Sequence, residues 1–121
     1  MKRTRLRPMS AKKRREIKIR QGIIRDRCEL VGHSTCSGPI EKHEIVRRSQ
    51  SSTAATDERL IIGLCRRHHG LDQFKDTAIE LGIRIDPQEW RLADDIGHRR
   101  LLHAAERKRA QARGDVPRDA A

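Results

Sequence analysis

Apolar positions in the first part of the chain recur with a helical period. They predict a helix over about residues 11–26, whose first turn the Ser10 hydroxyl can cap. We expect its apolar side to pack on the rest of the fold and its polar side to face outward. The apolar side comprises Ile17, Ile19, Ile23 and Ile24.

Shorter apolar runs follow in the middle of the chain, and they predict strands. The two segments are residues 40–47 and 59–64, with a polar loop over residues 49–56 between them. Residues 28–39 contain several glycine, serine and proline residues, which indicates another loop before the first strand. Two short strands, each preceded by a loop, are therefore expected.

Helical spacing returns after the second strand. Apolar side chains at this spacing predict a helix over residues 66–81, which Gly82 can end. Asp86 and Pro87 then match the cap and the first position of a new helix, which we expect to continue to about residue 112.

This order of elements predicts a small α+β fold within 121 residues. The expected parts are a basic arm and helix (1–27), a central module (28–83), a C-terminal helix (84–112) and a flexible tail (113–121).

The composition limits the size of the core. The chain has one phenylalanine, one tryptophan and no tyrosine, and cores this poor in large side chains generally need a metal ion or disulfides. No apolar run reaches the roughly 20 residues that span a membrane, and the basic N-terminus lacks the apolar segment of a secretory signal. We therefore expect a cytoplasmic protein with no membrane partner, in which three cysteines favour metal thiolates over disulfides.

Positive charge is concentrated at one end of the chain. The formal net charge is +11, and residues 1–27 hold twelve Lys/Arg against two acidic residues. Such a segment attracts a polyanion by neutralising phosphates, which predicts nucleic acid as the partner; the alternative is a solvated tail. The candidate phosphate-binding residues are Arg3, Arg5, Arg7, Lys12, Lys13, Arg14, Arg15, Arg47 and Arg48.

Potential metal ligands are gathered between residues 28 and 69, which contain all three cysteines and four of the six histidines. Three thiolates and one imidazole suit a closed tetrahedral Zn²⁺ site, which would be structural. The predicted ligands are Cys28, Cys36, Cys65 and His68. His33 is an alternative to Cys36 or His68, and three buried cysteines without a metal are the other possibility.

A second group consists of His43, Glu44 and His69. His69 follows His68 directly, and consecutive residues on a helical turn diverge by about 100°, so one can face the zinc and the other an open site. Two imidazoles with spare coordination positions can bind a divalent ion that polarises a phosphate, while a neighbouring His or Glu activates water. Taken singly, each of these histidines is more often a surface residue without function.

The ligand spacing resembles that of HNH endonucleases, particularly the small zinc-stabilised proteins of phages and prophages. The resemblance covers about residues 5–83. It rests on Cys28-x7-Cys36, on the run from His43 to Gln50, and on Leu64-Cys65-x2-His68-His69.

This resemblance implies a ββα-metal (HNH, or His-Me finger) fold and divalent-metal-dependent cutting of DNA in an infected or lysogenic bacterial host. It implies Mg²⁺, Mn²⁺ or Ni²⁺ as the catalytic ion and, in several phages, packaging (terminase) proteins as partners. By position, His43 and His69 match ligands of the catalytic ion and Glu44 matches the general base. Arg48 matches a recurrent basic residue.

The sequence departs from the HNH pattern at three places. Glu44 replaces the usual histidine base, Arg59 stands near the middle asparagine, and Ser51-Ser52 replace a glycine pair. In a second assignment His43 is the general base, and His69 holds the ion together with a carboxylate.

The carboxylate in that second assignment is Asp72 or Glu41. Two other functions remain open, a non-catalytic zinc-stabilised DNA- or RNA-binding module and a ribosome-associated zinc protein.

Overall fold

Two antiparallel strands form the centre of the protein, for which the computed structural model describes residues 9–117. β1 (Ile40–Glu44) and β2 (Ile61–Cys65) pair in a register that places Lys42 opposite Gly63. Every residue of β2 is buried, whereas only one residue of β1 is. The small α+β class predicted from the sequence is confirmed in this two-stranded sheet.

Five helices and two 3-10 turns surround the sheet in the described part of the chain. The helices are α1 (Ala11–Gly22), α2 (Arg66–His69), α3 (Lys75–Glu80), α4 (Pro87–Leu92) and α5 (Asp95–Arg113); the turns are Glu58–Leu60 and Gly70–Gln73.

Both strands differ in extent from the predicted segments. The first ends three residues early, because the carbonyl of Ile45 turns away to accept from the Ile85 amide at 2.9 Å. The second begins two residues late, because the Asp57 side chain accepts from the Arg59 amide and caps a 3-10 turn. Tertiary contacts and a local cap thus set the strand ends.

The predicted packing of α1 is wrong. None of the residues Ala11–Gly22 is buried, and Ile19 and Ile24 are 51% and 76% exposed. The helix also ends at Gly22 instead of residue 26, since Ile23 takes an extended conformation and enters the core alone.

Polar contacts attach α1 to the sheet. The Arg20 guanidinium donates to the Ala55 carbonyl at 3.2 Å, and the Arg20 carbonyl accepts from Lys42 Nζ at 2.6 Å. Glu16 pairs with Arg48 at 3.0 Å. The second half of the helix is therefore held by hydrogen bonds and ion pairs.

The helix predicted over residues 66–81 is interrupted. Phe74 has extended dihedral angles (φ −104°, ψ 94°), which separate α3 from the turn after α2. Gly82 ends α3 as predicted; its φ is +74°, in the left-handed region that favours glycine.

The predicted C-terminal helix is two helices. Asp86 caps α4 as expected and accepts from the Gln88 amide at 2.8 Å. Ala93 is extended, and the Asp94 side chain caps α5 by accepting from the Gly97 amide. A second strong cap within the helical pattern thus begins a new helix.

The end of α5 contacts the loop that precedes β1. Arg113, assigned from the sequence to the flexible tail, donates to the Glu29 carbonyl at 2.9 Å. Arg109 also faces Glu29, with Nε 3.4 Å from the carboxylate. The C-terminal helix therefore braces the loop that carries Cys28 and Cys36.

One core packs between the sheet, the metal-ligand loop and the C-terminal helices. Its largest fully buried apolar side chains are Leu30, Ile45, Val46, Leu60, Ile61, Leu64 and Ile83. Trp90 and Ala105 bring α4 and α5 into the same cluster.

Among residues 9–117, no helix combines the length and the apolar character needed to cross a bilayer.

Candidate metal centre and adjoining cleft

The three cysteines and His68 converge beside the end of β2. Their ligand atoms all lie within 4.8 Å of one another, and His68 Nδ1 is 3.2 Å from Sγ of both Cys28 and Cys65 and 3.6 Å from Sγ of Cys36. Cys28, Cys65 and His68 are buried, and Cys36 is exposed. The predicted cluster is confirmed as a set that could hold a metal ion.

The spacing of the cluster fits zinc. Tetrahedral Zn²⁺ with bonds of about 2.3 Å to sulfur and 2.0 Å to nitrogen separates sulfur and nitrogen ligands by about 3.5 Å. The measured separations from His68 Nδ1 to the sulfurs are 3.2–3.6 Å. A metal such as Zn²⁺ could therefore occupy the centre with little movement of its ligands.

Neighbouring groups orient His68 and shift the pKa values of His68 and Cys65. His68 Nε2 lies 2.7 Å from Ser34 Oγ; donation to this hydroxyl leaves the Nδ1 lone pair facing the sulfurs. Burial lowers the pKa of His68, with a further contribution from His33, which favours the neutral ring that a metal requires. Although burial alone would raise the pKa of Cys65, the His68 and Ser37 amides lower it.

His33 lies beside the cluster but is not among its four converging ligands. Its ring centroid is 6.0 Å from that of His68, in an edge-to-face arrangement. The position of the fourth ligand is taken by Cys36, so the structure favours the predicted set over the alternative with His33.

A cleft of about 370 Å³ lies beside the end of α2. His43 on β1 and His69 at the end of α2 both line it, with ring centroids 4.8 Å apart at 67°. The structure thus brings together the two histidines that the sequence placed in one site. Of the described residues, only the thiolate cluster forms a compact set of three or more potential ligands; the cleft histidines are a pair.

His43 is held by its surroundings in a neutral state. The ring is 3% exposed, and burial lowers its pKa to about 4, against the opposing effects of the Ile83 carbonyl and Asp72. Its Nε2 lies 2.6 Å from the Ile83 carbonyl oxygen, so Nε2 carries the proton and donates. The Nδ1 lone pair is left for a proton or a metal ion.

His69 contacts a carboxylate from β1. Its Nδ1 is 3.0 Å from Glu41 Oε1, and this hydrogen bond, opposed by desolvation and aided by Arg66, lowers the pKa of Glu41. The ring is about one-third exposed, so it remains accessible from the cleft.

Glu44 also lines the cleft, but its carboxylate is occupied by two arginines. Oε1 accepts from Arg20 at 2.8 Å and from Arg48 at 3.3 Å. These contacts occupy the oxygen that would have to accept a proton from water. Sequence reasoning placed Glu44 as the base; in the structure it lies within an arginine network.

Asp72 lines the cleft and forms a two-contact ion pair with Arg84. Arg84 Nε donates to Asp72 Oδ1 at 2.9 Å, and a second, shorter contact joins Nη2 to Oδ2. Burial of Asp72 opposes ionisation, but Arg84 and His43 lower its pKa. Arg84 also donates to the Glu44 carbonyl at 3.0 Å and so ties Asp72 to β1.

Cations outnumber carboxylates around the cleft. The basic lining residues are Arg20, Lys42, Arg47, Arg48 and Arg84. Arg47 and Arg48 were predicted to bind phosphate. Lys12, Lys13, Arg14 and Arg15 are exposed on α1, whereas Arg3, Arg5 and Arg7 lie outside the described residues.

Arg59, which the resemblance places near the middle asparagine of the HNH pattern, lies elsewhere. It is bound to Asp57 through both guanidinium and backbone contacts, with Nη2 2.9 Å from Oδ2. This ion pair raises the pKa of Arg59 and lowers that of Asp57. The residue does not line the cleft.

Comparison with protein-family models, with curated proteins and with solved structures finds no match for this chain. The resemblance to HNH endonucleases therefore stays a prediction, and only the geometry of the chain's own residues bears on its function.

Sequence reasoning missed Arg84, Arg20, Lys42 and Ser34. Arg84 has a recognisable signal, because it is one charge between two buried isoleucines, Ile83 and Ile85. A charge in such a run is expected to have a buried partner. Arg20 and Lys42 offer no comparable signal, since only the tertiary fold places them at the cleft.

Proposed function

We propose that this protein is a divalent-metal-dependent HNH endonuclease that cuts DNA phosphodiester bonds with weak sequence preference. β1, β2 and α2 would form its ββα-metal module. The observation that carries the proposal is the pair His43 and His69, whose rings lie 4.8 Å apart in a cleft lined by five cationic side chains.

The geometry supports one part of the second assignment, namely His43 as the general base. Its Nε2 is fixed by donation to the Ile83 carbonyl, and its pKa of about 4 keeps Nδ1 unprotonated near neutral pH. Nδ1 can therefore accept a proton from a water molecule that attacks phosphorus. Glu44 is a weaker candidate, because its Oε1 already accepts hydrogen bonds from Arg20 and Arg48.

His69 would hold the catalytic ion, which is Mg²⁺, Mn²⁺ or Ni²⁺. Bound there, the ion supplies positive charge to the scissile phosphate and its leaving oxygen. Arg47 and Arg48 lie at the same cleft and would orient the phosphate backbone. With contacts directed mainly at phosphates, we expect little discrimination between sequences.

The thiolate cluster would hold a structural Zn²⁺ that fixes His69. His68 and His69 are consecutive in α2, and His68 Nδ1 lies 3.2 Å from Cys28 and Cys65 sulfurs. Binding of zinc to His68 would therefore position the next residue at the cleft. Phage packaging proteins as partners, and a phage or prophage origin, belong to the same proposal and are implied by the resemblance alone.

A plasmid-nicking assay tests the proposal. Supercoiled DNA is incubated with the full chain and Mg²⁺, Mn²⁺ or Ni²⁺, and open-circular product is measured. We expect His43→Ala to lower the rate by about 100- to 10,000-fold, the usual contribution of a positioned acid–base group. His69→Ala is also expected to lower the rate, because it removes a ligand of the ion. His103→Ala is the matched control, because His103 is exposed on α5. Equal rates in all four proteins would refute the catalytic role of the cleft.

The second candidate is a non-catalytic, zinc-stabilised nucleic-acid-binding module. It is favoured by the pairing of both cleft carboxylates, Glu44 with Arg20 and Asp72 with Arg84, which leaves few free ligands. Salt-sensitive binding to duplex DNA with no cleavage under any of the three ions would support it. Preference for structured RNA over duplex DNA would instead indicate a ribosome-associated protein.

A further inference from the structure

The contact between Glu41 and His69 determines the protonation pattern of the imidazole. Glu41 Oε1 lies 3.0 Å from His69 Nδ1. An ionised carboxylate only accepts hydrogen bonds, so the proton in this contact belongs to Nδ1. In the neutral ring, the lone pair of His69 is therefore on Nε2.

In His43, the other imidazole of the cleft, the hydrogen-bonded nitrogen is Nε2 and not Nδ1. His43 Nε2 donates to the Ile83 carbonyl at 2.6 Å, which leaves its lone pair on Nδ1. The two rings stand edge to face at 67°. Two separate acceptors thus select different tautomers for two histidines of one cleft.

The position of Glu41 distinguishes it from a residue that binds an ion directly. His69 lines the cleft, whereas Glu41 is not among the lining side chains. The second carboxylate oxygen is also engaged, at 3.5 Å from Arg66 Nε. Glu41 therefore contacts His69 without lining the cleft itself.

We propose that Glu41 is a positioning residue that fixes the Nδ1–H tautomer of His69 and thereby leaves the Nε2 lone pair for a divalent cation in the cleft. This inference rests on the proposed function, because it concerns the ion that His69 would hold there. Carboxylates that orient a metal-binding histidine in this way typically contribute about 10- to 100-fold in metal affinity. Glu41 thus supports the ligand and is not itself the ligand.

Imidazole ¹⁵N NMR on the full-length chain tests the tautomer directly. We expect wild-type His69 to be protonated at Nδ1 and Glu41→Ala to shift the population toward Nε2–H. Glu41→Gln keeps an acceptor oxygen without the charge and is expected to retain the wild-type tautomer. Glu80→Ala, an exposed glutamate on α3, is the matched control and should leave His69 unchanged.

Titration with Mn²⁺, followed by broadening of the His69 signals, measures the ion affinity without any DNA. We expect Glu41→Ala to bind Mn²⁺ about 10- to 100-fold more weakly than wild type, with Glu41→Gln between the two. If the Glu41→Ala variant does not fold, the Glu41→Gln variant tests the proposal instead. The proposal then requires that folded Glu41→Gln binds Mn²⁺ more weakly than wild type.

Either of two results would overturn the role of Glu41. The first is a wild-type His69 that is protonated at Nε2. The second is a His69 tautomer and an Mn²⁺ affinity that are the same in wild type and in both Glu41 variants. Failure of the proposed nuclease is a separate outcome. A wild type that cuts no DNA, while His69 still responds to Glu41, refutes the nuclease and retains the positioning role. If the wild type cuts DNA but His69 does not respond to the Glu41 variants, the nuclease is retained and the positioning role is refuted.

Discussion

His68 and His69 are consecutive residues that serve two different sites. His68 is fully buried, and its Nδ1 faces the sulfurs of the cysteine cluster, whereas His69 lines the cleft and bonds to Glu41. The short helix α2 carries both. Any change in the cluster that moves this helix therefore also moves the imidazole at the cleft.

Removal of the metal is expected to unfold the protein. Structural zinc sites contribute about 10–16 kcal/mol to folding in zinc-finger peptides, which is as large as the whole stability of a typical domain, about 5–15 kcal/mol. We expect one zinc per chain by metal analysis and loss of the helical circular dichroism signal with a strong chelator. Zinc added back should restore the signal.

The Cys36→Ser variant separates metal binding from core packing in this experiment. Cys36 is exposed, so its replacement leaves the core intact while it removes a ligand. We expect weaker zinc binding and a lower melting temperature. A spectrum that is unchanged after complete zinc removal would contradict a structural role for the metal.

The buried state of His43 predicts a pH dependence of stability. Its pKa is about 4 in the folded protein, below the usual value of 6.5, so between these values the unfolded chain binds more protons. Stability from this residue is complete above pH 6.5 and is lost as the pH falls toward 4. The full shift corresponds to a free energy on the order of 3 kcal/mol.

Urea denaturation of wild type and His43→Gln at pH 4.5, 5.5 and 7 measures this contribution. Acid release of zinc affects both proteins equally, so the difference between their free energies of unfolding gives the contribution of His43. We expect the wild type to lose more stability than the variant as the pH falls. Parallel curves would show that His43 titrates normally in the folded state.

Gly82 is predicted to be a position where alanine is not tolerated. Its φ is +74°, and an added Cβ would overlap the backbone carbonyl oxygen of Ala105 in α5. We expect Gly82→Ala to lower the free energy of unfolding by about 2–4 kcal/mol. Gly70→Ala is the control, since nothing lies within 4 Å of a Cβ there. Similar unfolding midpoints for the two variants would contradict the close packing of α3 on α5.

The basic side of α1 is predicted to dominate the salt dependence of DNA binding. Arg14 and Arg15 are exposed, and each phosphate contact contributes about 0.9 to the slope of log affinity against log salt concentration. Arg14→Gln with Arg15→Gln should therefore reduce the slope by up to about 2, measured with a short duplex by fluorescence anisotropy. Arg91→Gln, an exposed change on α4, should leave it unchanged. Equal effects of both changes would place the DNA-binding surface elsewhere.

Local sequence signals predicted the features that depend on local chemistry. The spacing of Cys28, Cys36, Cys65 and His68 identified the cluster because metal ligands are restricted to few residue types. The cap at Asp86 and the stop at Gly82 were predicted for the same reason, since each depends on its own side chain or φ angle.

Features that depend on distant partners were not predicted. The break at Ala93 lies within an uninterrupted helical pattern, and Asp94 was not distinguished from an ordinary surface acid. The isoleucines in and just after α1 have helical spacing, yet Ile19 is exposed and only Ile23, which follows the helix, is buried. The pairing of Asp72 with Arg84 depends on how the segment after α3 packs beside β1, and hydrophobic periodicity does not encode that packing.

The way α1 is attached has an evolutionary consequence. Between Ala11 and Gly22 no side chain enters the interior, and the contacts of Arg20 and Glu16 tie the helix to the sheet and the cleft. Its outward residues can therefore diverge from one descendant to the next without disturbing the folding of the module. Such a segment is where a lineage could acquire a new target preference while it inherits the same chemistry.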